Sequence, residues 1–306
     1  TSRYNLGLVS TEVEEIDHNR LRFCYVGTAY DLSELLHIKQ LGFNTINFYG
    51  GFYAGTQDEN GTMLEMLDNA KTAKLRVNLN TEHGEAGVNL AKFIADYDSH
   101  PSVYCYTVFD EPATRNITVA QQDEKIALLR TMTKKPLTMV DMVLNQSPFL
   151  QVFSQNYDQV YVDSYSRRRN SGDINNNIHK DLEKMRIDYC LVKAMTKCDK
   201  VIPVCGLFQF KGDHYTDNME QILAAAKIFS TVDGGNWGAF IWDGEGDPNI
   251  TSNIRDNLDF KKFAKKVNKQ RDITKPLSDV YLFGGRNREK DWGRQQLFKL
   301  VKIKDP

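Results

Sequence analysis

Asp110 and Glu111 stand side by side at the end of an apolar run, followed at once by Pro112. The run, Val103 to Phe109, holds only β-branched, aromatic, Cys and Thr side chains. It has no wet face, so it reads as a strand buried on both sides, the mark of a parallel sheet. His100-Pro101 opens it as a turn, and Pro112, which cannot donate to a ladder, closes it. A buried strand that delivers acids at its C-terminal end is how an α/β barrel builds an active site. Acids in that place can equally be N-caps for the next helix.

The elements around this stretch repeat one pattern. Strands are expected at 21–28, 43–49, 75–79, 103–109, 137–143, 159–165, 201–210 and 237–242. Helices are expected near 31–41, 63–73, 88–97, 119–132, 148–154, 179–196, 218–231 and 257–268. Asp31 with Glu34 three residues on has the form of a capping box. Gly234-Gly235-Asn236 is a turn before the last strand. Eight strand-then-helix units in about 250 residues predict parallel pairing, crossover helices and a closed (β/α)8 barrel. The expected organisation is an N-terminal arm at 1–20, a barrel at 21–275 and an appended β element or further domain at 276–306.

In a barrel the strand C-terminal ends share one rim. Here that rim carries Tyr49, Glu82, His83, Asp110, Glu111, Asp141, Asp163, Tyr165, Gln209, Asp213, His214, Trp242, Asp243 and Glu245. There is no nucleophilic Ser elbow, no phosphate-cradling Gly loop and no H-x-x-x-H metal spacing, so no cofactor and no metal are expected. Carboxylates can protonate a leaving oxygen, and flat rings can stack on pyranose faces, so the composition suits sugar chemistry. A lyase or aldolase is disfavoured, because no Lys stands at a strand end for a Schiff base and Lys211 is the nearest candidate.

The Asp110-Glu111-Pro112 ending resembles the fourth-strand signature of Asp-Glu-Pro-type glycoside hydrolase barrels. These are related to the large glycoside hydrolase clan with Asn-Glu-Pro at that place. Asp163-Ser164-Tyr165 is similar to the sixth-strand D-x-Y of such barrels. Gln209 with its flanking Phe208 and Phe210 is similar to their seventh-strand Q-x-F, and Gly238 to Trp242 to their eighth-strand G-x-x-x-W. The resemblance spans roughly residues 21 to 270. It implies a carbohydrate substrate, cleavage of a glycosidic bond and Glu111 as general acid, which needs a raised pKa of the kind desolvation supplies.

One departure matters. Clan members carry a nucleophilic Glu on the seventh strand, and Gln209 cannot attack carbon. Three alternatives stay open. Another rim acid, Asp163 or Asp243 with Asp141 behind them, supplies the second carboxylate. Or the substrate supplies its own nucleophile, with Asp110 orienting an acetamido group and Tyr165 and Trp242 lining the sugar site. Or the barrel binds glycans without cutting them, as part of a larger surface or virion assembly. Trp242 serves either as a stacking platform or as a core ring; His83 and His214 serve as assisting groups or as surface residues. Asp31 and Glu34 are assigned to capping alone. The loops 51–61 and 166–177 suit a cleft that admits a polymer.

Composition narrows the partners. Apolar content is 41%, charged content 26% and net charge −1, with no electrostatic footprint for nucleic acid or membrane. Arg167-Arg168-Arg169 is the one basic cluster, read as a solvated loop or a polyanion clamp. Five cysteines without a C-x-x-C pair suggest folding in reducing conditions. The sequons at Asn60, Asn116, Asn145 and Asn249 point the other way, towards action on an extracellular or cell-surface glycan. No segment offers an 18-residue apolar run, so no membrane insertion is expected. The chain starts at Thr1, which fits a piece of a larger polypeptide.

Overall fold

A computed structural model describes residues 20–27, 31–48, 62–82, 86–87, 89–141, 151–169, 172–212, 215–243 and 248–269. Tyr49, His83, Asp213, His214, Glu245, the arm before Arg20 and the expected tail element at 276–306 lie outside them.

Eight parallel strands close into a barrel, and each pairs with its neighbour in sequence. They are β1 Arg22–Val26, β2 Thr45–Phe48, β3 Arg76–Asn80, β4 Val103–Asp110, β5 Leu137–Asp141, β6 Gln159–Ser164, β7 Val201–Gly206 and β9 Trp237–Phe240. Closure is made by β1 against β9, with Arg22, Phe23 and Cys24 opposite Trp237, Gly238 and Ala239. Among the described residues seven helices wrap the barrel: α1 Leu32–Gln40, α2 Thr62–Thr72, α3 Leu90–Tyr97, α4 Val119–Met132, α5 Ile174–Thr196, α6 Met219–Phe229 and α7 Leu258–Asn268. No described helix is long and apolar enough to cross a membrane.

Strand alternation sorts the core into two layers. Cys24, Val26, Ile46, Val77, Leu79, Val160, Val162 and Trp242 face the helices in one cluster. Phe23, Tyr25, Val140, Tyr161, Tyr165, Ile202, Val204 and Phe208 fill the interior in another. The interior is lopsided. The register sets Tyr25, Asn47, Asn78 and Cys105 side by side on β1 to β4, so polar groups gather on one half while rings fill the other. Gly238 is required here, since a Cβ on it would stand 2.2 Å from Phe23 Cζ.

Several expectations change. The run 201–210 is not one strand. β7 stops at Gly206, and Gln209–Phe210 form β8, which pairs antiparallel with β10 Ile250–Ser252 outside the barrel. Leu207 N still donates to Phe240 O of β9 at 2.6 Å, and beyond it Phe208 is buried in the aromatic cluster of the interior. The described part of the expected 148–154 helix, 151–154, is not helical. It instead binds neighbours, the Gln151 side chain donating through Nε2 to Met195 O at 2.7 Å and the Ser154 backbone N–H to Gln122 Oε1 at 3.0 Å. α5 begins at Ile174 rather than near His179, because Asp173 accepts from the backbone N–H of Asn175 and Asn176 and turns an Asn-rich stretch into a capped start. Asp31 precedes α1 without a side-chain cap bond, so the capping box there does not form. One does form at α4, where Thr118 and Gln121 bond reciprocally.

The last described helix clasps the barrel's N-terminal end. Asn268 accepts from the buried Trp237 indole at 2.9 Å, donates to Leu41 O at 3.1 Å, and its carbonyl accepts from Arg22. Gly42, at φ +90°, passes so close that a Cβ would lie 2.7 Å from Asn268 Cβ. Asn268→Ala leaves the Trp237 donor and the Leu41 acceptor buried without these partners, at a cost of about 2 to 4 kcal/mol. The urea midpoint should drop accordingly at unchanged m-value; a loss under about 0.5 kcal/mol would show that the clasp does not hold the closure.

Candidate active site

β4 delivers the two acids through an irregular end. Its pairing with β5 shifts between Thr107 and Phe109, and bulges of this kind re-aim side chains next to active sites. Glu111 then takes φ +49°, a left-handed conformation that costs a non-Gly residue about 1 to 2 kcal/mol. Three bonds hold it there. Glu111 N donates to Val140 O at 2.7 Å, Arg115 N returns to Glu111 O at 3.0 Å, and Asp110 N donates to Glu82 Oε2 at 2.6 Å.

Glu82, at the end of β3, has a side chain only 7% exposed. Its Oε2 also accepts from Arg115 Nη1 at 2.9 Å, and the same Nη1 donates to Asp110 O at 2.8 Å. Glu82 therefore braces the β4 end from beside it. Lys125 on α4 lies over the Phe109 ring at 4.7 Å and donates to Thr81 O at 3.2 Å; burial lowers its pKa to about 8.

Asp141 ends β5 fully buried. Its Oδ2 accepts from Ala113 N at 2.7 Å, and its Oδ1 faces Thr114 Oγ1 at 3.5 Å, so it ties the turn after Glu111 to the next strand. Asp163, near the end of β6, is 7% exposed. Its Oδ2 accepts from the Tyr165 hydroxyl at 2.9 Å, while Oδ1 is buried and meets no hydrogen-bond donor among the described residues. Asp243 lies elsewhere: fully buried after β9, it accepts from Gly27 N at 2.6 Å and joins the ends of β9 and β1.

These carboxyls form one electrostatic group. Burial lifts Glu111 above the ordinary carboxylate range, against the pull of Arg115 and then Arg167. Burial lifts Asp163 well above it; the charges of Glu111 and Asp110 push the same way, and the Tyr165 bond opposes them. Asp141 is raised well above it by burial too, opposed by the Ala113 bond and helped by Glu111 and Asp110. Acids that raise one another share protons, and their titrations belong to the group rather than to single residues. A buried carboxyl kept protonated near neutral pH is suited to general acid work, and a neighbour that ionises beside it to base or nucleophile work.

The β6–β7–β9 side of the mouth is aromatic. Tyr165 stacks on Phe240 with centroids 5.5 Å apart, and Phe208 meets both edge-on. Tyr215 joins at 5.7 Å from Tyr165 and 5.5 Å from Phe208.

The structure thus brings Glu82, Asp110, Glu111, Asp141, Asp163 and Tyr165 together and leaves three candidates apart. Trp242 is 1% exposed and belongs to the layer facing the helices. Its Nε1 donates to Glu34 Oε2 at 2.5 Å, so it is a core ring and no sugar platform, and Glu34 serves it rather than a cap. Gln209 sits on β8 and donates to Asp217 O at 2.6 Å. Asp243 is the third. Arg115 went unnoticed in the sequence, because it lies in a turn where neither helical nor strand spacing ties it to the acids.

No protein-family model matches the chain, and no curated protein sequence does either. Solved structures do match in fold. A β-galactosidase from the psychrophilic Marinomonas ef1 superposes with TM-score 0.61 at 10% identity over 81% of this chain. The chain spans 59% of that enzyme's length. A Saccharophagus degradans β-glucanase, in complex with cellotetraose, gives 0.54 at 12% identity, covering 81% of this chain and 87% of its own. A family 113 β-mannanase from Alicyclobacillus acidocaldarius gives 0.54 at 12% identity, covering 81% and 96%. At these identities the likeness is one of fold: the chain has the (β/α)8 architecture of glycoside hydrolase barrels.

Two outcomes test the site's physics. At a left-handed φ the usual order of Ala over Gly inverts, so Glu111→Gly should be more stable than Glu111→Ala by about 1 kcal/mol in chemical denaturation. The reverse order would show that Glu111 does not hold this conformation in solution. Carboxyls raised in the folded state stabilise it fully below their unfolded pKa, near 4, and lose that contribution as pH rises through the folded value. The melting temperature should fall as pH rises above about 4, where the unfolded carboxyls begin to ionise, and Asp163→Asn should flatten the fall. An unchanged slope in Asp163→Asn would mean that Asp163 is not held protonated by burial.

Proposed function

We propose that the protein hydrolyses glycosidic bonds in a poly- or oligosaccharide, with Glu111 as general acid and Asp163 as the second carboxylate. The observation that carries this reading is Asp163 itself. Asp141 spends both oxygens on the turn after Glu111, and Asp243 is bonded to Gly27 on another side of the barrel. Asp163 keeps one buried oxygen without a donor among the described residues, and the charge that acts on it most is that of Glu111. Two coupled acids of which one holds the proton is the arrangement that glycoside cleavage requires.

In the reaction the Glu111 proton passes to the glycosidic oxygen as the C1–O bond breaks. Positive charge grows at C1, and Asp163 stabilises it as a carboxylate in those molecules where the proton the pair shares sits on Glu111. Asp163 then either bonds C1 directly, with water later displacing it, or takes a proton from the water that attacks C1. Tyr165, donating to Asp163 Oδ2, stabilises the ionised form and fixes its orientation. The fold neighbours, named as a β-galactosidase, a β-glucanase and a β-mannanase, suggest β-linked glycans as the first substrates to try.

Screening against β-glucans, β-mannans and aryl β-glycosides by reducing-sugar or chromophore release should find turnover, with Glu111→Gln and Asp163→Asn each lowering kcat/KM by about 10³-fold. The anomer first released, seen by proton NMR, tells whether Asp163 attacks C1 or activates water. Full activity in Glu111→Gln would overturn the assignment. Glycan binding with no turnover of any bound substrate would leave a carbohydrate-binding barrel instead.

A further inference from the structure

We infer that Glu82 and Arg115 form a subsite for a neutral sugar unit, holding two of its hydroxyls on the side of Glu111 away from Asp163. That this unit is the leaving group of the cleaved bond rests on the glycosidase reading above; the binding of its hydroxyls does not.

Each side chain uses one half of its polar head on the scaffold. Arg115 stands on the turn after Glu111 with 43% of its side chain exposed. Its Nη1 donates to Glu82 Oε2 at 2.9 Å and to Asp110 O at 2.8 Å, while Nε and Nη2 donate to no described residue. Glu82 is arranged in the same way. Its Oε2 accepts from Asp110 N at 2.6 Å and from Arg115. Its Oε1 accepts from no described residue, and it is not one of the buried polar atoms that lack a partner, so it opens to solvent. The inner halves thus fix each other against the end of β4, and the outer halves are left as an oriented donor edge beside an acceptor. Arg115 N also donates to Glu111 O at 3.0 Å, which ties this pair to the general acid.

The chemistry of the pair selects its ligand. Hydrogen bonds to charged groups are the strong ones, and groups already held in place lose little freedom on binding. The two charges oppose each other, so an anion meets Glu82 and a cation meets Arg115. A hydroxyl is donor and acceptor at once. Two adjacent hydroxyls of a pyranose can accept from the Arg115 edge and donate to Glu82 Oε1. Rim order places the unit that carries them. Glu82 follows β3, Glu111 follows β4 and Asp163 lies near the end of β6, so Glu111 stands between the other two. A sugar with C1 at Asp163 turns its glycosidic oxygen to Glu111. The unit beyond that oxygen continues past Glu111 towards Glu82 and Arg115.

The test compares kcat/KM of the full chain on cellotetraose and mannotetraose with that on aryl β-glycosides, whose leaving group has no adjacent hydroxyls. Glu82→Gln exchanges the open acceptor for an amide donor, while the other oxygen still faces Asp110 N. Arg115→Lys keeps the charge beside Glu111 and removes the outer N–H edge. Both variants alter the brace on β4, so both lower the turnover of every substrate. Each should lower tetrasaccharide turnover by about 10- to 100-fold more than aryl glycoside turnover. Equal loss on the two classes in the folded variants, or no loss, overturns the subsite. If the chain cuts nothing, binding of the two tetrasaccharides by titration calorimetry decides. Affinity that drops about 10-fold or more in the variants keeps the subsite and refutes the hydrolase reading alone. No binding, or binding that the variants leave unchanged, overturns the subsite as well.

Discussion

Closure of the parallel ladder between β1 and β9 is the constraint from which the site follows. Only a closed, all-parallel sheet sends every strand's C-terminal end to the same rim, so residues from 82 to 163 in sequence can meet in one mouth. Closure depends on close fits at few places. Gly238 lets the Phe23 ring lie against the β9 backbone, and Asn268 joins β1, β9, α7 and the end of α1 through buried bonds. At the rim, Asp243 repeats the tie by accepting from Gly27. An acid at the end of the last strand thus works for the scaffold.

The mouth holds unfavourable elements that the scaffold must offset. Glu111 sits in a left-handed backbone conformation, and three carboxyls are buried near one another. Such features cost free energy and persist where the surroundings over-determine them. Here Glu82 and Arg115 hold the β4 end from one side, and Asp141 grips the Ala113 amide from the other. Protonation relieves the rest: an acid that keeps its proton carries no buried charge, so the desolvation that raises these pKa values also makes the group tolerable.

The barrel was legible because its evidence is periodic. Eight apolar runs at regular spacing, with helical stripes between them, leave one economical topology, and Val103 to Phe109 could be read as a strand buried on both faces from its residues alone. The acids at strand ends followed from that frame. What was not legible depends on side-chain direction. Trp242 and Asp243 are adjacent in sequence at one strand end, yet the first turns to the helices and bonds Glu34. Nothing in the residue types decides that. Gln209 was misplaced for a related reason: the apolar run continues through Leu207 and Phe208, and a sequence does not mark where a strand leaves its ladder to pack its rings. Arg115 and Arg167 act on Glu111 from turns, where no periodicity exists to place them.

The missing acid on the seventh strand has a structural explanation. β7 ends at Gly206, and a Cβ there would stand 2.9 Å from ring atoms of both Tyr165 and Phe208. The space that a seventh-strand side chain would enter is filled by aromatic rings, which pack on Phe240 from β9. Among the described residues the mouth is thus divided, with carboxyls on the β3 to β6 arc and rings on the β6 to β9 arc. Asp163 and Tyr165, two residues apart around the end of β6, stand where the arcs meet, and a hydrogen bond joins them. The rings at the end of β7 leave little room there for a charged side chain, so among the described residues the carboxyls gather at the other ends.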